Sequence, residues 1–380
     1  MKTVAESGAG GARSYRNDFI RRTFLPWLQQ NPRLHADAFA LMAALKRAAV
    51  RRETLARRKG IEIPETLAIG LTSRCSRRCP FCCMRNQRAD DEVSLPRALV
   101  ERALDECERL GISRIALVGG EPFAYPGVAE LIAGHPELFF TIFTNGLEQD
   151  EDQMRHLQPL ANQALIVNLS ASEQPGQAGL APLTAQALMR LRDRDLFFGF
   201  AATVHRQNAR WFQEQEIFLR ARDLGARFGV LFDYLPGFEE PQDPFVVDPE
   251  ERAAVVRQAR EFAAVTGLLL LCAPEDEAIM GGCAAAGRLV LHLSAWGTLT
   301  PCPFVPFSRF HLSRTSLLEA LESDYFRELR VRSREWEKRE GACAYRAASQ
   351  EVAEIGRRHG VVGHPVSGTT EITFEESEHG

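Results

Sequence analysis

The sequence predicts an α/β protein organised around a parallel sheet, on three observations. Short apolar runs with strand character alternate with helical patterns from about residue 65 to 240, the signature of consecutive βα units. The chain has 380 residues, enough at ~150 residues per domain for two to three domains or one large α/β barrel with additions. Its composition, 45% hydrophobic and 25% charged, is that of a globular protein and excludes a fully disordered or fibrous one.

The elements follow in order. Residues 67–72 read as a short buried strand. A helix is predicted over 96–110, with Ser94 as its cap and Gly111 as its stop. Strands follow at 114–118, at 139–144 before Asn145-Gly146, at 164–169 before Ser170, at 197–204 before His205-Arg206, and at 227–234 before Leu235-Pro236-Gly237. Helical patterns near 150–158, 182–194 and 208–224 separate them. Beyond lie a helix at 249–266, a β-hairpin whose first strand at 289–293 leads through Trp296-Gly297 to a second beginning at Leu299 and ending before Cys302, and a helical segment at 316–330.

Lys and Arg number 46 against 50 Asp and Glu, so the net charge of −4 argues against global attraction to nucleic acid, although local basic patches remain. The stretch after Met1 and Lys2 is polar and Gly-rich, unlike a secretory signal. The longest apolar run, 267–273, is far short of the ~20 residues that span a bilayer. A soluble cytoplasmic protein without a transmembrane segment is expected, its nine cysteines reduced and read as metal ligands or buried small hydrophobes.

Four of those cysteines crowd together, and three of them form Cys75-Ser-Arg-Arg-Cys79-Pro-Phe-Cys82. Soft thiolates select zinc or iron–sulfur clusters. A closed zinc site wants four ligands, and no His follows in the loop. Cys83 cannot easily join, because adjacent cysteines rarely face one metal. Three ligands on a cubane leave one iron open to a small molecule. Cys107 lies on the apolar face of the 96–110 helix and reads as a core thiol.

With Phe81 before its last cysteine, this CxxxCxxC motif resembles the signature of the radical S-adenosylmethionine superfamily. The resemblance implies a [4Fe–4S] cluster on Cys75, Cys79 and Cys82, with S-adenosylmethionine chelating the open iron. Gly119-Gly120-Glu121-Pro122, at the end of the second strand, resembles the family's motif for the amino group of that cofactor. By the same resemblance Phe81 packs by the adenine, Asn145 lies near the cofactor, Ser170 meets the ribose and Arg206 the carboxylate. As residues alone, Asn145, Ser170 and Arg206 read equally well as turn or cap residues. The six βα units then match the family's partial (β/α)6 TIM-like barrel, and all these positions fall at carboxyl ends of strands, where barrel active sites lie.

The C-terminal third resembles the SPASM and twitch auxiliary-cluster domains of such enzymes. Cys283 precedes the hairpin, Cys302 follows it and Cys343 follows a helix, with Cys272 available as a fourth ligand. At most one auxiliary iron–sulfur cluster can be built from these, and a zinc site or buried thiols are the alternatives. His292, His311, His359 and His364 lack partners at ligand spacing and are assigned no role. The expected organisation is a helical extension (1–64), the barrel (65–240), a helix with the auxiliary domain (241–350), and a helical end with a disordered acidic tail (351–380).

Two basic segments complete the reading. The helix expected over 36–59 carries seven Lys and Arg; it reads as an apolar face packed on the protein with a solvated basic face, or as a surface for a membrane or partner. Arg74, Arg77, Arg78, Arg85 and Arg88 in the cysteine loop fit an acidic electron donor such as flavodoxin or ferredoxin, or neutralise the cluster. The implied activity is reductive cleavage of S-adenosylmethionine to a 5′-deoxyadenosyl radical that abstracts hydrogen from an unactivated C–H bond. The substrate is a small molecule, lipid or peptide. Residues 14–60 read as too short and helical for a winged-helix peptide-recognition domain, which tilts the expectation away from a SPASM-type maturase of ribosomal peptides. Cys83 and Cys272 are candidate hydrogen donors for an epimerase. The contrasting class is a non-catalytic zinc or iron–sulfur binding module.

Overall fold

In the computed structural model, residues 19–79, 81–82, 92–148, 151–169, 180–236, 244–273, 276, 283–305, 308–336 and 343–361 are described. The alternation read from the sequence is present. Strands β1 (Thr66–Thr72), β2 (Arg114–Gly119), β3 (Phe139–Thr144), β4 (Gln163–Asn168), β5 (Phe198–Val204) and β6 (Phe228–Asp233) pair in sequence order and in parallel. Residues from both faces of these strands are buried, and all seven of β5 are, as a parallel sheet covered on both sides requires.

The sheet extends beyond those six at each edge. The chain after β6 makes a further unit, a helix at Pro249–Thr266 and strand β7 (Leu269–Ala273), which pairs in parallel with β6. At the other edge the first hairpin strand, β8 (Val290–Leu293), pairs in parallel with β1, Thr66 opposite Val290 and Ile69 opposite Leu293. β9 (Thr298–Thr300) and β10 (Phe310–His311) then continue antiparallel. The hairpin is therefore bonded into the barrel sheet, and the strand order is β10-β9-β8-β1-β2-β3-β4-β5-β6-β7.

Helix α1 (Leu25–Gln29), entered through a π-turn at Ile20–Phe24, and helix α2 (His35–Lys59) precede the sheet. Phe24, Trp27, Leu28, Leu34 and Ala38 form a separate core with Phe197, Phe228, Ala164 and Leu269. The last four lie at or just before the amino-terminal ends of their strands, so the extension seals that end of the sheet. The indole of Trp27 packs against the rings of Phe24 and Phe197 at 5.6 and 5.1 Å and donates through Nε1 to the Asp195 carbonyl at 2.9 Å. Helix α2 buries Ala38, Leu41, Ala44 and Ala48 and pairs its basic side chains with Glu137, Glu65 and Glu322. It crosses helix α3 (Arg97–Leu110) at Gly111, where a Cβ would lie 2.3 Å from the Ala48 carbonyl oxygen.

Ser94 does not cap α3. Pro96 occupies the cap position, and the Ser94 hydroxyl bonds to Thr72 Oγ1 at 2.7 Å, tying the loop to β1 instead. Cys107 is fully buried on α3, a core thiol. The expected acidic tail lies outside the described residues. Among those described, no helix is long and apolar enough to cross a membrane.

Trp27→Ala removes the centre of the aromatic seal and is expected to cost about 3–5 kcal/mol of stability, read as a lowered urea midpoint; an unchanged midpoint would mean that the extension is not part of the cooperative fold.

Candidate active site

Parallel strands bring their carboxyl ends to one side, and the chain spends its unusual residues there. After β1 comes the cysteine loop. After β2 come Gly120 and Glu121, whose N–H groups donate to the carbonyls of Thr72 and Arg74 at 2.6 and 2.7 Å, stitching the loop to the glycines. A Cβ on Gly120 would sit 2.1 Å from the Arg74 carbonyl oxygen, and Gly119 holds φ at +117° against the Thr72 carbonyl. Only glycine lets the two segments approach this closely.

Glu121 is 1% exposed. Its Oε1 accepts from the Phe123 N–H at 3.2 Å, capping the turn at Pro122–Ala124, and its Oε2 accepts from the Asn145 N–H at 2.7 Å. The Asn145 side-chain nitrogen lies 3.8 Å from Cys75 Sγ, and the Arg77 N–H donates to the same sulfur at 3.4 Å. Burial raises the Glu121 carboxyl to about 7, with the Glu148 charge adding to the rise. Burial and the charges of Glu121 and Glu148 raise the Cys75 thiol as well. Positive charge placed between them reverses both shifts, so the donor set suits a metal centre beside an ammonium group. Cys79 and Cys82 are half-buried in the same loop, the Cys82 N–H donating to the Cys79 carbonyl at 3.3 Å.

Opposite the loop, Phe81 stacks on His205 with ring centroids 4.3 Å apart, and Phe245 meets both rings edge-on. His205 follows β5, is 2% exposed, and is held neutral by burial, its pKa lowered to about 4. Both of its ring nitrogens lack a hydrogen-bond partner among the described residues. The adjacent Arg206 is exposed and anchored by its backbone N–H to the Phe245 carbonyl at 2.9 Å. The sequence gives His205-Arg206 as a basic pair, and the structure turns the histidine, not the arginine, toward Phe81. Ser170, Cys83, Arg85 and Arg88 lie outside the described residues.

A second thiol group forms around the hairpin. Cys283 and Cys302 are buried and Cys343 is half-buried; burial pushes the nearby Tyr345 hydroxyl well up, and the charges of all three thiols add to the rise. Cys272 is not among them. It sits on β7, at the sheet edge opposite the hairpin, its N–H donating to Asp276 Oδ2 at 2.7 Å and its thiol raised to about 12, chiefly by burial. The strand pairing that carries it there is long-range and leaves no local trace in the sequence. His292 is a buried core residue bonded to Thr300 Oγ1 at 2.7 Å. Among the described residues no three His, Cys, Asp or Glu side chains are grouped as ligands of a single metal ion; a cubane takes each thiolate on a different iron.

A model of the radical SAM superfamily matches residues 69–175, which span the cysteine loop, the Gly-Gly-Glu-Pro turn and Asn145. That segment is similar to the radical SAM domain. The chain is 26% identical over 171 residues to the PqqA peptide cyclase of Gluconobacter oxydans and 29% over 158 residues to that of Granulibacter bethesdensis. These alignments cover 43% and 39% of this chain and 47% and 42% of the relatives, so the chain spans less than half the length of either. The crystal structure of Streptococcus suis SuiB bound to S-adenosylmethionine superposes with a TM-score of 0.60 at 17% identity, covering 73% of this chain and 70% of that one, a likeness of fold. The matched family is one of enzymes that use a [4Fe–4S] cluster and S-adenosylmethionine, and the SuiB structure is titled as bound to the latter.

Glu121→Gln keeps an acceptor for the Asn145 N–H but loses the charge. With charge-assisted bonds worth about 1.5–3 kcal/mol, it should weaken S-adenosylmethionine binding to reconstituted protein by about ten- to a hundredfold in equilibrium dialysis, with a modest fall in melting temperature from the Phe123 N–H left without its acceptor. Gly120→Ala should expel the cysteine loop and reduce bound iron after reconstitution, and full iron content in that variant would refute the close approach.

Proposed function

We propose that the chain cleaves S-adenosylmethionine reductively and uses the radical so formed on a peptide substrate. The observation that carries the first part is the convergence of Cys75, Asn145 and Glu121 at one end of the sheet. When bound, the cluster supplies one electron to the sulfonium, and the resulting 5′-deoxyadenosyl radical takes hydrogen from an unactivated C–H bond.

The protein's own residues then have the following parts. Cys75, Cys79 and Cys82 hold the cluster. Gly119 and Gly120 let the cysteine loop close on the turn after β2, and the Glu121 carboxylate accepts from the cofactor's amino group. Phe81, backed by His205, packs by the adenine, while Asn145 and Ser170 supply polar contacts to the rest of the cofactor; Arg206, exposed beside His205, would reach the carboxylate only by swinging in from the rim. The aromatic seal at the opposite end of the strands keeps water from reaching the radical from below. Cys283, Cys302 and Cys343 hold a single auxiliary iron–sulfur cluster.

The peptide part goes against the expectation drawn from the helical N-terminal segment, which packs on the sheet and leaves peptide recognition to other surfaces. It is supported by the relatives, named as cyclases of the peptide PqqA, and by the SuiB structure titled as bound to the precursor peptide SuiA. The electron donor is an acidic flavodoxin or ferredoxin docking at the cysteine loop, where Arg78 is exposed. Reduction by flavodoxin should slow severalfold at low salt in Arg77→Glu combined with Arg78→Glu; a rate indifferent to both changes would remove this loop as the dock.

Anaerobic reconstitution should give a brown protein that releases 5′-deoxyadenosine after dithionite, and replacing Cys75, Cys79 and Cys82 by alanine should abolish that release. Deuterium passing from a labelled peptide into 5′-deoxyadenosine would establish the substrate class. A colourless, zinc-loaded protein without turnover would establish the binding-module alternative.

A further inference from the structure

Tyr345 is 1% exposed, and its hydroxyl has no hydrogen-bond partner among the described residues. An unpaired buried hydroxyl costs about 1–3 kcal/mol, and native proteins seldom leave one so. Its ring is fixed edge-on against Trp336 at 5.4 Å, and the Trp336 indole is in turn anchored to Glu351 Oε2 at 2.8 Å. The titratable groups acting on the hydroxyl are the thiols of Cys283, Cys302 and Cys343 and the hydroxyl of Tyr325.

The surroundings of those thiols are rigid without any metal. Arg288 Nε donates to the Cys283 carbonyl at 2.7 Å, and Thr300 Oγ1 donates to the Cys302 carbonyl at 3.2 Å. The turn between Cys283 and β8 is held by buried Arg330, which donates to the Ala286 carbonyl at 3.1 Å and the Leu321 carbonyl at 2.7 Å. Gly287 in that turn has φ +74°, and a Cβ there would lie 2.2 Å from Leu321 Cδ2. A phenol can donate one proton, and the anionic acceptors that a loaded site offers it are sulfurs.

We propose that the Tyr345 hydroxyl donates a hydrogen bond to a sulfur of the cluster held by Cys283, Cys302 and Cys343, and so sets its reduction potential. This rests on the auxiliary-cluster reading above. Such a bond favours the reduced, more negative cluster, so removing it lowers the potential.

The test compares wild type with Tyr345→Phe, which keeps the ring, and with Trp336→Phe, which disturbs the ring's neighbour and leaves the hydroxyl. In reconstituted protein followed by EPR during redox titration, Tyr345→Phe should keep two clusters' iron and shift only the auxiliary midpoint, to more negative values. The cluster on Cys75, Cys79 and Cys82 serves as internal reference, and Trp336→Phe should leave both midpoints in place. In metal-free protein, Tyr345→Phe should melt at the wild-type temperature or above, because an unpaired hydroxyl has been removed. An unmoved auxiliary midpoint in a two-cluster protein overturns the proposal and leaves the cluster reading intact. Loss of auxiliary iron from Tyr345→Phe overturns it in favour of direct ligation, and a lowered apo melting temperature overturns it in favour of a partner present without the cluster. Wild type holding a single cluster overturns the proposal together with the reading beneath it.

Discussion

The buried carboxylate of Glu121 is the interaction on which the active end of this molecule depends. One oxygen closes the turn after β2 and the other receives the backbone of Asn145 after β3, while the residue's own N–H reaches back to the cysteine loop after β1. Three strand ends are thereby fixed by a single residue. Two backbone donors and the Thr144 hydroxyl only partly compensate a charge taken out of water, which is why the carboxyl rises to about 7. On the proposed function the deficit has a use: an ammonium group arriving at this spot would complete the solvation that burial removed. The residue would then serve as structural clip and cation site together, and neither role conflicts with the other.

That clip works because the frame beneath it is stiff. Eight consecutive strands, from β8 to β7, run in parallel, and close packing on both faces leaves little room for a strand end to shift. The amino-terminal ends are shut by Phe24, Trp27 and Phe197. The hairpin is fastened through the β8–β1 ladder, and the helix that follows it (Leu317–Glu322) through the Leu317 N–H donating to Glu106 Oε2 on α3 at 2.6 Å. Displacement of the hairpin would therefore be felt along β1, the strand that carries Cys75.

What was legible in the sequence was whatever lies in contiguous residues: the six strands, the helix ending at Gly111, the cysteine loop and the Gly-Gly-Glu-Pro turn. Local spacing encodes local geometry. The leucine run at β7 has no alternation and invites a reading by hydropathy alone, yet its partner, β6, supplies the pairing that makes it a strand. The parallel docking of β8 on β1 joins residues more than two hundred positions apart, and nothing near His292 announces it. The choice between His205 and Arg206 turns on a difference of one residue at a strand end, which decides which of the two faces inward. Asn208 makes that decision: its Oδ1 accepts from the His205 N–H at 2.8 Å and its Nδ2 donates to the Thr203 carbonyl at 2.9 Å. A buried asparagine four residues after a strand was the available signal. Cys272 matched the other thiols by residue type only; the topology carries it to the far edge.

The register of the hairpin bears on what an auxiliary cluster could do. β8 starts level with the start of β1, and β9 runs back toward that level, Thr300 lying opposite His292. Cys302, two residues beyond β9, and Cys283, whose neighbour Ala284 accepts from the Val290 N–H at 2.9 Å, therefore lie beside the amino-terminal end of β1. Cys75 follows its carboxyl end. Seven strand residues at about 3.3 Å each separate those levels by roughly 20 Å. A hydrogen is abstracted at contact distance, so no single small substrate can present its reacting carbon at Cys75 and a ligand atom at Cys283. A cluster at that depth, walled by buried cysteines, Tyr345 and Trp336, is suited to relaying an electron and not to holding the reacting carbon. This gives a tuning hydroxyl a purpose: a relay works only where its potential lies between those of its donor and acceptor.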